Sequence, residues 1–191
     1  MKKLERKDIH GPALYEPMRD DLRKHIIALK RFRRITVGPQ VAIVFENRAT
    51  MIFQIEEMLR AEKIDDDAKI EEEISVYNSL LPDANELSAT LFVEVTEQAQ
   101  IRPTLERLVG IDEHVYLDIG GDLVQASFEA GRSTQEKISS VQYLRFKLTA
   151  ASAIAIREER VPLKLCIDHP EYNHSIELSG DTCHELARDL E

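Results

Sequence analysis

Leu87-Ser-Ala-Thr-Leu-Phe-Val-Glu-Val-Thr96 (LSATLFVEVT) is the stretch whose reading decides the fold. Leu87, Ala89, Leu91, Val93 and Val95 recur at every second position. Ser88, Thr90, Glu94 and Thr96 fall between them, so the spacing predicts a strand with one oily and one polar face. The same period returns downstream. Val115, Leu117 and Ile119 lead to Gly120-Gly121-Asp122, a hairpin signal, and Val124, Ala126 and Phe128 continue beyond it. Leu144, Phe146 and Leu148 oppose Tyr143, Arg145 and Lys147 on a further strand. Val161, Leu163, Leu165 and Ile167 make another, which Asp168-His169-Pro170 turns towards a strand over His174 to Leu178. Residues 129–138 read as a polar loop.

Upstream the period is helical. Pro17 suits the first turn of a helix running to about Phe32, with Met18, Leu22, Ile26 and Leu29 as its stripe. Gly38-Pro39 breaks the chain ahead of a strand from Val41 to Phe45. Ile52, Ile55, Met58 and Leu59 then mark a second helix. Asp65-Asp66-Asp67 suits the start of a third, striped by Ile70, Ile74, Tyr77 and Leu81 and ended by Pro82. Shorter helices are expected near Ile101–Leu108, with Pro103 in the first turn, and near Thr149–Arg157. Asp181 is expected to cap a last helix carrying Cys183, Leu186 and Leu190.

Helices first, then strands joined by hairpins, describe an α+β fold. Its expected form is a mostly antiparallel sheet of about six to seven strands packed against amphipathic helices. One domain spans 1–191, with residues 1–34 as a basic helical segment. The strands from Leu87 to Leu178 are expected to form one platform whose oily side is plugged by the early helices.

With 43% apolar and 31% charged residues and a net charge of −10, the composition is that of a soluble globular protein and argues against bulk nucleic-acid binding. No tryptophan and only six phenylalanines leave a mainly aliphatic core. The charge is uneven. Residues 1–34 carry 11 Lys/Arg against 5 Asp/Glu, so the remainder is strongly acidic. This asymmetry suits internal docking, a homodimer or an anionic partner. Neither a secretory signal nor a membrane span is legible, and Cys166 and Cys183 are too few for a disulfide framework, so the expected compartment is the cytoplasm.

There is no Walker A loop, GxGxxG, CxxC pair, HExxH or GxSxG, which removes the commonest nucleotide, redox and hydrolase signatures. Four constellations remain. At the strand-to-helix corner, Arg48 suits a carboxylate or phosphate, Glu46 a proton, and Asn47 the helix start, with Gln54 and Arg145 as further ligand-binding groups. The alternative is a cap at Asn47 and a surface Glu46–Arg48 pair. The run Lys30, Arg31, Arg33 and Arg34 is either an anion- or partner-binding patch or compensation of the helix dipole. Asp168, His169 and His174, with His184 as a further nitrogen, are a workable zinc or iron set, or else an ordinary polar turn. Cys166 beside Lys164 is either an activated thiol or an inert small residue.

The strings FENRATMIFQIEEMLRAEKI (45–64), YNSLLPDANELSATLFVEV (77–95), LVGIDEHVYLDIGGD (108–122), SSVQYLRFKLT (139–149) and CIDHPEY (166–172) occur in an order that resembles the bacterial family catalogued as domain of unknown function 3501. The resemblance spans nearly the whole chain and supplies neither a reaction nor a cofactor. It does imply a context beside rubrerythrin-like di-iron proteins and iron–sulfur oxidoreductases. The chain lacks the cysteine sets and Glu-x-x-His pairs that hold such centres, so the expected role is an accessory or binding protein acting with redox partners. The alternatives are a small enzyme or ligand-binding domain with a polar site around Glu46 and Arg48, and a metal-binding protein.

Overall fold

A computed structural model describes residues 1–129 and 138–191; the polar loop expected over 129–138 lies, apart from its ends, outside the described residues. The chain begins with α1 (Pro12–Tyr15) and α2 (Arg19–Arg33), and Pro17 sits in the short turn Glu16–Met18 between them. A hairpin of β1 (Arg34–Val37) and β2 (Val41–Glu46) leads to α3 (Arg48–Glu62) and α4 (Asp67–Asn78). Next come β3 (Glu86–Val93), α5 (Gln98–Arg107), β4 (Val115–Ile119), β5 (Asp122–Gln125) and β6 (Ser127–Phe128). The chain closes with β7 (Val141–Lys147), α6 (Ala150–Arg157), β8 (Leu163–His169), β9 (Tyr172–Glu177) and α7 (Gly180–Asp189).

Local chemistry sets the boundaries. Asn47 has extended backbone and its side chain accepts from Thr50 N at 3.1 Å, while Thr50 Oγ1 accepts from Asn47 N at 2.9 Å. This reciprocal cap starts α3, and Lys63 in the left-handed region (φ 56°) stops it. Asp66 caps α4 through Lys69 N, and Thr149 caps α6 through Ser152 N. Helix α7 is capped by Ser179 rather than Asp181, because the Ser179 hydroxyl is one residue ahead of the helix and accepts from Thr182 N. Helix α5 begins three residues earlier than expected, so Pro103 lies inside it.

The α+β class and the antiparallel pairing hold, but the strands divide into two sheets. One is ordered β1-β2-β3-β7-β6 and the other β5-β4-β8-β9, and every pair is antiparallel. Alternation fixes which side chains share a face but not which strand lies beside which, and that is why a single platform was the natural expectation. Val41, Ile43, Phe45, Leu87, Leu91 and Phe146 of the first sheet share one buried cluster with Val115, Leu117, Leu165 and Ile167 of the second. Each such side chain fully buried stabilises by about 1.5–3 kcal/mol. The oily face is therefore covered by the second sheet. The early helices form their own cluster, in which Leu4 and Ile9 meet Met51, Ile55, Leu59, Ile70 and Ile74. In α2 Ile26 is buried, whereas Met18, in the turn that precedes it, is exposed.

Tyr172 joins the sheets. Its hydroxyl accepts from Gln40 N (2.9 Å) and Val41 N (3.1 Å) and donates to Val37 O (2.7 Å), which fixes the β1–β2 turn against β9. Gly38 occupies that turn at φ +71°, and a Cβ there would stand 2.5 Å from the His174 ring.

Candidate functional site

Register builds the site. Glu46 pairs with Ser88, Ser88 with Arg145, and Arg145 with Ser127. Directly opposed residues point to the same side of a sheet, so these four side chains form a polar row across β2, β3, β7 and β6. Because Leu87 and Phe146 face the core, the row stands on the outer face. Thr90 and Tyr143 make the next row. Ser79 and Leu80, just after α4, overhang them and turn the face into a cleft of about 170 Å3.

The groups in the cleft are unequally satisfied. The Glu46 carboxylate is buried, at 4% exposure. It accepts from Thr90 Oγ1 at 2.7 Å and from Gln54 Nε2 at 3.4 Å, and no cation pairs with it among the described residues. Ser88 Oγ is buried with no hydrogen-bond partner. An idle buried hydroxyl costs about 1–3 kcal/mol, so proteins rarely leave one. Arg145, by contrast, is committed. Its Nη1 donates to Glu86 Oε2 at 2.5 Å and to Leu81 O at 3.3 Å, and its Nη2 donates to Ser79 O. Burial, then Tyr143 and the carboxylates of Glu73, Glu62 and Glu46, raise the Tyr77 phenol above its ordinary value. On this outer face Ser88 and Thr90 are nonetheless buried, and Gln54 of α3 and the Ser79–Leu81 segment after α4 bond to the row.

The other residues of the corner serve the scaffold. Asn47 caps α3, and its Nδ2 also donates to Asp189 Oδ1 at 3.4 Å. Arg48 points away from Glu46. It donates to Lys2 O (2.7 Å) and Lys3 O (2.8 Å) and pairs with Asp8 at 3.0 Å, strapping down the first residues. The structure thus brings Glu46, Gln54 and Arg145 to one place and leaves Asn47 and Arg48 outside it.

Nor does the basic run form one surface. Arg33 is wholly buried. Its Nε donates to Phe45 O (2.9 Å) and its Nη2 to Glu46 O (3.4 Å), and the guanidinium pairs with Glu185 and Asp189 of α7. The last turn of α2 faces β2, and a guanidinium there satisfies carbonyls that a lysine could not span. Arg34 pairs with Glu94 and lies 5.6 Å from the Phe92 ring centre. Lys30 is half-buried and Arg31 exposed.

The histidine turn is likewise dispersed. His169 Nε2 bonds Val109 O at 2.9 Å and its Nδ1 accepts from Glu171 N at 3.2 Å, so both ring nitrogens are occupied. Asp168 accepts from Asn173, His174 packs 4.5 Å from the Tyr172 ring, and His184 bonds Glu159. Among the described residues no three His, Cys, Asp or Glu are placed to hold a metal ion. Cys166 and Cys183 are both half-buried. Burial pushes their thiols up, and at Cys166 the downward pull of Lys164 is weaker than burial and Asp118, so that thiol is not activated.

Ser88, Thr90 and Ser127 were not singled out by sequence. The one signal was alternation, which set Ser88 and Thr90 opposite the core residues.

A family model described as "Protein of unknown function (DUF3501)" matches residues 3–190. The chain is 34% identical to a protein of unknown function from Burkholderia pseudomallei whose crystal structure superimposes with a TM-score of 0.93, covering 100% of each chain. No curated protein matches it. No described helix is long and apolar enough to cross a membrane.

Proposed function

The chain belongs to the DUF3501 family, and from that premise we propose that it binds a small polar ligand in the cleft over the Glu46–Ser88–Arg145 row. One observation carries this reading: among the described residues a buried Ser88 hydroxyl has no hydrogen-bond partner and the buried Glu46 carboxylate beside it no cation, and both line one cleft. A packed core eliminates such groups, whereas a binding site keeps them for what it binds. In the bound state Glu46 accepts from the ligand, Ser88 completes its hydrogen bonding, and Arg145, held rigid by Glu86, walls the far side. Thr90 and Gln54 hold the Glu46 carboxylate in place. This reading is preferred to an accessory protein for redox partners because it rests on an observed cleft and its chemistry.

Native mass spectrometry of protein purified without denaturation from its own cells tests it. The wild type should retain a non-covalent small-molecule mass that Glu46→Gln loses. Bare protein in both cases, or equal retention by both, refutes the reading.

A further inference from the structure

The electrostatics of the cleft select among ligands. Resting on the binding reading above, we infer that the ligand is a small organic amine bound as its ammonium ion. Glu46 is a buried carboxylate whose two hydrogen bonds come from neutral groups, Thr90 and Gln54. The nearest guanidinium in the lining, Arg145, is already neutralised by Glu86 at 2.5 Å. Among the described residues no cation pairs with Glu46, so its carboxylate presents a negative charge away from bulk water, where attraction for a cation is strongest.

An ammonium also fits the hydrogen-bond inventory. It carries donors only, and both Glu46 and the idle Ser88 oxygen can accept. A carboxylate or phosphate ligand would meet Glu46 with like charge. A neutral ligand would leave Glu46 uncompensated. The 170 Å3 space slightly exceeds a cavity that holds benzene, which bounds the ligand at about six to nine non-hydrogen atoms. Leu80 and the Tyr143 ring line the same space and suit an apolar body behind the charged head.

Three probes of one shape separate the possibilities: benzylammonium, benzyl alcohol and benzoate, each titrated into the full chain and followed through the backbone amide resonances of Glu46, Ser88 and Arg145. Benzylammonium should shift these resonances saturably. Glu46→Gln should weaken it by about tenfold or more, since the charge-assisted hydrogen bond to the ammonium is lost. Ser88→Ala, a milder change that leaves the carboxylate in place, should weaken it by less. Alcohol or benzoate binding as tightly as the amine, or an unaltered affinity in Glu46→Gln, overturns the inference while leaving a binding cleft. Silence from all three probes overturns the amine as well, and the retained-mass experiment then decides the cleft separately.

Discussion

Replacing Arg33 with methionine would remove the guanidinium that ties α2, the end of β2 and α7 together. The side chain is wholly buried, and its guanidinium serves two main-chain carbonyls and two carboxylates. Methionine fills much of the volume, so the loss is electrostatic. Removing one partner of a buried pair costs about 3–5 kcal/mol, and that range already includes roughly 1 kcal/mol for each carbonyl left without its donor. Glu185 lies at the rim and keeps a bond to Arg188. Asp189, 6% exposed, keeps the long bond from the neutral Asn47 amide at 3.4 Å. Burial already pushes its carboxyl above the usual range while Arg33 opposes that push, so the variant drives it higher. A carboxyl raised in the folded state binds more protons folded than unfolded, and stability then falls as pH rises through that window. Urea denaturation should show a loss of about 3–4 kcal/mol at pH 7, smaller at pH 5. The double variant Arg33→Met/Asp189→Leu should recover at least about 2 kcal/mol of it, because the stranded charge is gone. A loss below about 1 kcal/mol at pH 7, or one that grows on acidification, refutes this reasoning.

Other perturbations probe separate parts of the scaffold. Arg19 and the Tyr15 hydroxyl hold the Glu57 carboxyl down at about 2. A depressed carboxyl contributes stability above about pH 4.5 that is lost as pH falls towards 2. Because the pair is partly exposed, the contribution is discounted to about 1–2 kcal/mol. Glu57→Gln should flatten that part of the pH–stability curve, and an unchanged slope would contradict the assignment. Gly38→Ala combines a left-handed residue with a Cβ inside the His174 ring contact, whereas Gly121→Ala at φ +102° meets nothing within 4 Å. Thermal melts should rank Gly38→Ala as the costlier by about 1–3 kcal/mol, and the reverse order would contradict the packing described.

What sequence revealed and what it hid follow from the range of each interaction. The caps at Asn47 and Asp66 and the stripe of Ile70 and Ile74 are local, and periodicity exposed them. The Gly120-Gly121 turn was legible, but the crossing from one sheet to the other at Ala126 was not, since a strand continues through both with unchanged alternation. Strand β1 escaped because Arg34-Ile-Thr-Val37 follows directly on a basic helix end. Arg33 read as part of an anion-binding patch or as compensation of the helix dipole, because a helix C-terminus ordinarily displays such cations. Glu46 and Arg145 were each visible as polar residues on a strand. Their convergence on Ser88 depends on the β2-β3-β7 order, which is a long-range property that no window of residues contains.

Ser88 offers the most direct test, because its idle hydroxyl is what distinguishes a binding cleft from a well-packed seam. The measurement is the unfolding free energy of ligand-free Ser88→Ala against wild type. If the hydroxyl is kept for a ligand, deleting it should leave stability unchanged or raise it by up to about 2 kcal/mol. A loss of more than about 1 kcal/mol would mean that the hydroxyl already holds the fold together, and the cleft would lose its claim to be a site.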